Sequence, residues 1–406
     1  MGLIHRCKQG LFMLLHRYRQ WPHYLSELKY DPGQTPLLPD TFDVYTDNFS
    51  VLSLRLVPEY FNCRIEEEKL LIQKIKHHNW GYAIKLNNCE SAREYLRRQF
   101  NSTARRTILR YIKRLEHCLD INYELHFGEI EKDHYDNLMN RLHHMFVTRF
   151  NMKGERHKEL PYWDQIRANT FDQIKRKEAS LFVIYHDQKP IEISLNYHLG
   201  KMLFSYISSF DMDYAKFGLG HVEIFKQLEW CLNNDYIIYD MGVGGTDYKR
   251  RWSNYIYQFE HHILYPRAGL LNRLAAYGEI FRVRLKEFVK SVGINEIPQK
   301  LSSLHLPQKP IAQDIIISPI HKFEEQKQRL LPTEQMKSLS KDSDSFQEIK
   351  KQLNNFLYST QEQEKDIIIW QPEANVFRIE GKEHYQLLEV IPESEINRKE
   401  NHKTAI

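Results

Sequence analysis

The residue types that can do chemistry gather most densely in one stretch, 235–252, DYIIYDMGVGGTDYKRRW. An apolar run at 236–239 leads into Asp240. Gly242, Gly244 and Gly245 follow within four residues, and Asp247, Tyr248, Lys249, Arg250, Arg251 and Trp252 close the stretch. A run of β-branched and aromatic residues suits a buried strand. Glycines let a ligand or a second backbone come close. A carboxylate, a phenol and an ammonium at the mouth of such a turn can take a proton, give one and hold negative charge. The competing reading is a plain strand-to-loop turn with solvated charges.

Other elements must position this stretch, and their pattern is readable. Residues 91–119 are predicted helical, interrupted at Asn101-Ser102-Thr103, which offers an N-cap for a second helix. Between 93 and 114 lie Arg93, Arg97, Arg98, Arg105, Arg106, Arg110, Lys113 and Arg114 against one acid, Glu94. Such a cationic face fits a phosphate-bearing partner or simply a solvated surface. A strand is predicted over 121–127, helices over 129–150 and from Pro161, and then strands at 181–185, 191–197 and 202–208. Their short connections make an antiparallel meander. Gly218-Leu219-Gly220 opens a helix with a stripe of Val222, Phe225, Leu228 and Leu232, ended by Asn233-Asn234. The central strand follows, then the glycine loop, a strand over 255–265 and a basic amphipathic helix over 268–291.

The flanks are less regular. Residues 1–47 read as a short helix and irregular structure, 50–64 as a strand broken by Pro58, 66–76 as a helix and 80–86 as a strand. Residues 332–366 suit a flexible linker or a loosely held helix, and 366–370 with 376–379 a small hairpin. The order of elements is α+β. The expected division is an N-terminal extension over 1–90 packed on the core, a main domain over 91–298, and a linker with a small C-terminal element over 299–406.

Composition excludes several classes. The chain has 406 residues, 42% hydrophobic and 27% charged, with a net charge of +4, so it can build real cores and its overall charge demands no nucleic acid. Five scattered cysteines fit a reducing compartment, and a cytoplasmic location is expected. No apolar run nears the ~20 residues of a membrane span. The adjacent pairs His77-His78, His143-His144 and His261-His262 point apart on any regular element, and no metal is expected. The apolar residues 11–15 are expected to dock on the protein's own domain rather than on a membrane.

From roughly 93 to 263 the sequence resembles the GNAT acyltransferase superfamily, in its divergent branch called BioF2-like or acetyltransferase-6, related to the Fem peptidoglycan peptidyltransferases. The Arg-rich helix, SAREYLRRQFNSTARRTILRYIKRLE, the meander running into its helix, and IIYDMGVGGTDYKRRW carry the resemblance. It implies a mixed, mainly antiparallel central sheet flanked by helices. It further implies transfer of an acyl group, acetyl first, from acetyl-CoA or another acyl-CoA to an amine of a sugar, amino acid or cell-envelope precursor. CoA pyrophosphate would sit at Phe217, Gly218, Leu219, Gly220 and His221, and pantetheine along residues 205–209. Ala215-Lys216-Phe217 stands where the superfamily usually has Gln or Arg before its glycines.

Acyl transfer needs a base for the amine, a donor to the oxyanion and an acid for the leaving thiolate. Asp240 and Glu192 are the candidate bases, Tyr248 the candidate acid and Lys249 the oxyanion or phosphate contact. Gly244, Gly245 and Trp252 are expected to bind substrate. Two alternatives stay open: Fem-like transfer of an aminoacyl group from charged tRNA, and a binding protein on the same fold without catalysis.

Overall fold

The computed structural model describes residues 6–22, 24–30, 42–45, 50–65, 69–87, 89–152, 154, 159–243, 247–292, 315–322, 337–340, 343–373 and 375–391. The fold is mixed α+β. The N-terminal part supplies β1 (Arg6–Gly10), a π-helical turn at Met13–Arg17, β2 (Gln20–Pro22), β3 (Leu25–Lys29), β4 (Asp43–Tyr45), β5 (Val51–Pro58), β6 (Asn62–Ile65) and β7 (Leu70–Lys85). Leu11, Leu14 and Leu15 of the early apolar run are buried in the main core, so that run docks on its own domain. The helix expected over 66–76 is a correction. From Lys74 to His78 buried and exposed residues alternate, which is the period of a strand, and these residues belong to β7.

The helices α1 (Ala92–Gln99) and α2 (Ser102–Cys118) start where capping chemistry predicts. Ser91 accepts from the Glu94 N–H, and Asn101 accepts from the Ala104 N–H. Then come β8 (Ile121–His126), α3 (Lys132–Met152), α4 (Trp163–Lys175), β9 (Ala179–His186), β10 (Lys189–Leu199), β11 (Met202–Phe210), α5 (Leu219–Asn233), β12 (Ile238–Val243), α6 (Asp247–Trp252), β13 (Tyr255–Pro266) and α7 (Leu270–Ser291). The meander is antiparallel, as its short turns require.

Nine strands form one sheet in the order β1-β5-β13-β7-β12-β11-β10-β9-β8. All eight residues of β9 are buried, so the sheet is covered on both faces. Leu181, Val183 and Tyr185 join one core with α3 and α4, while Phe182 and Ile184 join the other with α1, α2 and α5. Gly81 of β7 lies where a Cβ would come within 2.2 Å of the Tyr257 ring, so that crossing has room for hydrogen alone.

A second sheet is built from β14 (Ile315–Ile317), β15 (His321–Lys322), β16 (Lys337–Ser338), β17 (Ile368–Glu373), β18 (Val376–Glu380) and β19 (His384–Val390). It contains the expected hairpin as β17–β18. The helix α8 (Asp344–Thr360) precedes it and is firmly docked, which corrects the expected linker or loose helix for these residues. Phe346, Ile349, Leu353, Phe356 and Leu357 are buried, and Asn354 Nδ2 donates to the Asp213 carbonyl at 3.1 Å. No helix among the described residues is long and apolar enough to cross a membrane.

Candidate active site

The strands β11 and β12 run parallel, but they pair only at Met202–Ile238, Leu203–Tyr239 and Phe204–Asp240. Beyond that point β11 stays with β10, while β12 leans onto β7 with an irregularity between Asp240 and Val243. A cavity of about 300 Å³ opens at this fork. Its walls are largely apolar, with Phe12, Phe61, Phe204 and Phe259 among them, and Asp240, Lys249, Glu159, Tyr206 and His16 bring the polar groups. A mostly apolar cavity with a few convergent polar groups is the usual form of a small-molecule site.

Asp240 sits at the point of the fork with 1% exposure. Its Oδ2 accepts from the Tyr60 hydroxyl at 2.6 Å and the Tyr257 hydroxyl at 2.5 Å, and its Oδ1 accepts from the Gly242 N–H at 2.6 Å. Burial raises the Asp240 pKa, and the three hydrogen bonds and Lys249 oppose that rise. Both tyrosines are held well above their ordinary range, chiefly by burial and then by the Asp240 charge. The Lys249 ammonium donates to the Met241 carbonyl at 2.6 Å, which aims it at the same cavity.

The cavity also reaches a cluster that sequence reasoning missed. Tyr206 donates to Glu159 Oε2 at 2.6 Å, and Arg17, buried, donates to Tyr206 at 2.5 Å and also to Glu159. His16 lines the wall, and burial lowers its pKa to about 3. No local motif marks Tyr60, Tyr257, Arg17 or Glu159, because they arrive from four separate parts of the chain.

Glu192 lies elsewhere. It is fully buried on β10, with Oε1 accepting from Ser208 at 3.2 Å and Oε2 without a partner. The same Ser208 lies 2.9 Å from Oε2 of Glu223 on α5, and Gln227 donates to Glu223 Oε1 at 2.8 Å. Burial raises both carboxyl pKa values, and Glu223 pushes Glu192 further up. Glu192 does not line the fork cavity. Glu223 was not legible, since it reads as an ordinary polar residue of an amphipathic helix.

The remaining expected residues are spread around α5. Trp252 is fully buried, and its indole donates to His221 Nδ1 at 2.9 Å while Tyr95 donates to its carbonyl. Tyr248 packs edge-on to the His221 ring. Phe217 and Leu219 are core residues. Gly218 has φ +65°, and a Cβ there would come within 2.7 Å of Tyr111, so the helix start needs glycine twice over. Gly220 faces open space, with no atom beyond its chain neighbours and its own helix backbone within 4 Å of where its Cβ would lie. Gly244 and Gly245 lie outside the described residues. Among those residues, two groups have donor atoms within 4.8 Å of one another, Glu124–His126–His134 and His186–Asp187–Glu364. His186 is already engaged by Tyr214 and Glu364.

Residues 102–250 match the family model described as the acetyltransferase (GNAT) domain, so the chain carries a domain of the GNAT superfamily. No curated protein matches the sequence. Among solved structures, FemX is similar over 56% of this chain and 75% of its own, with 8% identity and a TM-score of 0.40. The C-terminal domain of a putative lysylphosphatidylglycerol synthetase from Agrobacterium fabrum is similar over 55% of this chain and 70% of its own, with 11% identity and a TM-score of 0.35. A conserved protein of unknown function from Bacteroides thetaiotaomicron is similar over 53% and 70%, with 9% identity and a TM-score of 0.36.

Proposed function

We propose that the protein is an N-acyltransferase that moves an acyl group, acetyl first, from acyl-CoA to an amine of a sugar, amino acid or cell-envelope precursor. The observation that carries this reading is the fork: two parallel strands that part at a buried carboxylate, with a cavity between them. Residues 205–209 offer a strand edge along which the amides of an extended donor can pair. The start of α5 lies just after β11, where backbone N–H groups and the helix dipole favour an anion. The open space at Gly220 and the exposed Arg251 nearby suit a diphosphate.

In this reading Asp240 takes the proton from the substrate ammonium, and the amine nitrogen then forms a bond to the thioester carbonyl carbon. Lys249 stabilises the resulting oxyanion. The C–S bond breaks as the carbonyl re-forms, and the thiolate takes a proton, with Tyr248 as the acid. Its phenol is then restored by the proton the nitrogen sheds. Burial of Asp240 is what suits it to the task, because an ordinary carboxylate is too weak a base for an amine.

The test is thiol release from acetyl-CoA across a panel of amines, with melting temperature read in parallel. Binding should raise the melting temperature, and the rise should grow with the logarithm of donor concentration over its dissociation constant. Gly220→Glu adds charge at the helix start without a steric cost and should remove that stabilisation. Indifference to every acyl-CoA would overturn the reading. One observation favours a second one, an aminoacyl-tRNA donor: Arg93, Arg97, Arg98, Arg106 and Arg110 are all exposed on α1 and α2. Binding of bulk tRNA that weakens steeply with salt would support it.

A further inference from the structure

Among the described residues, the outer face of α7 departs from ordinary surface chemistry. Leu270, Leu274, Tyr277, Phe281, Leu285, Phe288 and Val292 recur at spacings of three and four, so they form one stripe along the helix. All seven are exposed; Leu270 reaches 75%, Phe281 69% and Phe288 62%. The opposite face is already satisfied. Ala275, Ala276, Ile280 and Val283 pack on Val51, Ile75 and Ile263 of the sheet. The stripe is therefore not a misplaced core face. Contiguous exposed apolar surface of this kind marks an interaction site.

Charge says which kind. Residues 267–292 hold six Lys or Arg, namely Arg267, Arg273, Arg282, Arg284, Lys286 and Lys290, and only two acids. Both acids, Glu279 and Glu287, are buried against the sheet. Glu279 accepts from Ser53 and Arg282, and Glu287 accepts from the His78 N–H and Lys290. The exposed face thus presents apolar groups and cations with no exposed carboxylate. On a helix of 3.6 residues per turn, Arg273 and Arg284 fall along one edge of the stripe and Arg282 beyond the other, while Lys286 turns toward the sheet and lines a cavity with Arg55 and His77. A second copy of this chain is a poor occupant, because two such faces would set cations against cations.

We propose that α7 is a peripheral docking surface for an anionic lipid bilayer. It would lie in the plane of the headgroups with Leu270, Leu274, Phe281 and Phe288 among the acyl chains, and its edge cations against the lipid phosphates. The helix does not cross the bilayer; it is too polar for that. This surface is independent of the acyl-transfer reading, since none of its stripe residues lines the fork cavity.

Vesicle co-sedimentation of the full chain tests it. The wild-type protein should pellet with vesicles of equimolar phosphatidylcholine and phosphatidylglycerol, stay in solution with phosphatidylcholine alone, and be released by salt. Phe281→Glu with Phe288→Glu should abolish pelleting. Arg273→Gln with Arg284→Gln, which leaves the apolar stripe intact, should weaken partition about thirtyfold, at about fivefold per cation. Melting temperatures unchanged from wild type establish that the variants are folded, and the two pairs are independent of each other in this respect. Three results would each overturn the proposal: no pelleting with phosphatidylglycerol vesicles, equal pelleting with phosphatidylcholine alone, or a solution dimer that Phe281→Glu dissociates while vesicles are ignored.

Discussion

Asp240 and Glu192 are both buried carboxylates on strands of the same sheet, and burial raises the pKa of each. Their surroundings differ. Asp240 has three donors on its two oxygens and borders a cavity; Glu192 has one donor, one orphan oxygen and a second buried carboxyl, Glu223, across a shared serine. Lys249 acts on both centres, lowering the pKa of Asp240 and of Glu223. The contrast separates two properties that a sequence merges. A raised pKa comes from burial alone, but a base also needs reach to a substrate and donors that hold its charged form. Asp240 borders the cavity and has three such donors, whereas Glu192 has the single Ser208 donor and does not line the cavity.

The largest expected effect comes from exchanging the two. Asp240→Asn should lower kcat/KM by about 10²–10⁴, the usual contribution of a positioned general base, while Glu192→Gln should change it less than about tenfold. A reversed result in steady-state kinetics would move the chemistry to the buried Glu192–Glu223 pair. Next is Lys249→Ala, expected to cost about 10²–10³ in turnover with the fold retained, and Lys249→Arg should rescue it in part. Loss of the folded state in the alanine variant would give Lys249 a structural role instead, through its bond to the Met241 carbonyl.

Smaller effects sharpen the support of Asp240. Tyr257→Phe removes one of its donors and leaves a buried carboxylate oxygen with Tyr60 alone, which should cost about 1–3 kcal/mol in denaturant unfolding. Gly81→Ala should cost a similar amount, about 1–3 kcal/mol, because the new methyl group meets the Tyr257 ring. A neutral Gly81→Ala would mean that Tyr257 is not fixed where Asp240 needs it.

The smallest effect is a pH profile. With folded pKa values above the ordinary 4.5, Glu192 and Glu223 bind more protons in the folded than in the unfolded chain. Their stabilising contribution is full below 4.5 and is lost as pH rises through the folded values. Glu192→Gln should therefore melt higher than wild type at alkaline pH, with the gap closing on acidification. His16, His198 and His261 act in the opposite sense. Burial lowers each from 6.5 to about 3, so their contribution is full above 6.5 and is lost as pH falls toward 3. Both limbs should appear in a wild-type melting curve, and Glu192→Gln should flatten the alkaline one.

Local pattern made most of the main domain legible. The cap at Asn101, the meander turns and the apolar stripe of α5 are written in neighbouring residues, because capping and side-chain periodicity are short-range. The GNAT domain was readable for the same reason: its order of strands and helices is a linear signal. Residues 66–76 misled because their charged and apolar residues also fit a helical spacing, while the alternation from Lys74 on only becomes decisive once β13 pairs along this part of β7. The amphipathic character of α7 was also in the sequence. That its apolar side faces outward was not, because which stripe is buried depends on what the sheet offers to cover it.

The sequence by itself determined the types of group present at 235–252: a carboxylate at a strand end, a glycine turn, a phenol and an ammonium. Tertiary structure decided what they are worth. It set Tyr60 and Tyr257 on Asp240, put Glu192 beside Glu223 out of reach of the cavity, and enclosed Trp252 in the core. The physical reason is that desolvation and hydrogen bonding act through space, over a few ångströms. They join residues as far apart in the chain as Tyr60 and Asp240, a separation that no local pattern encodes.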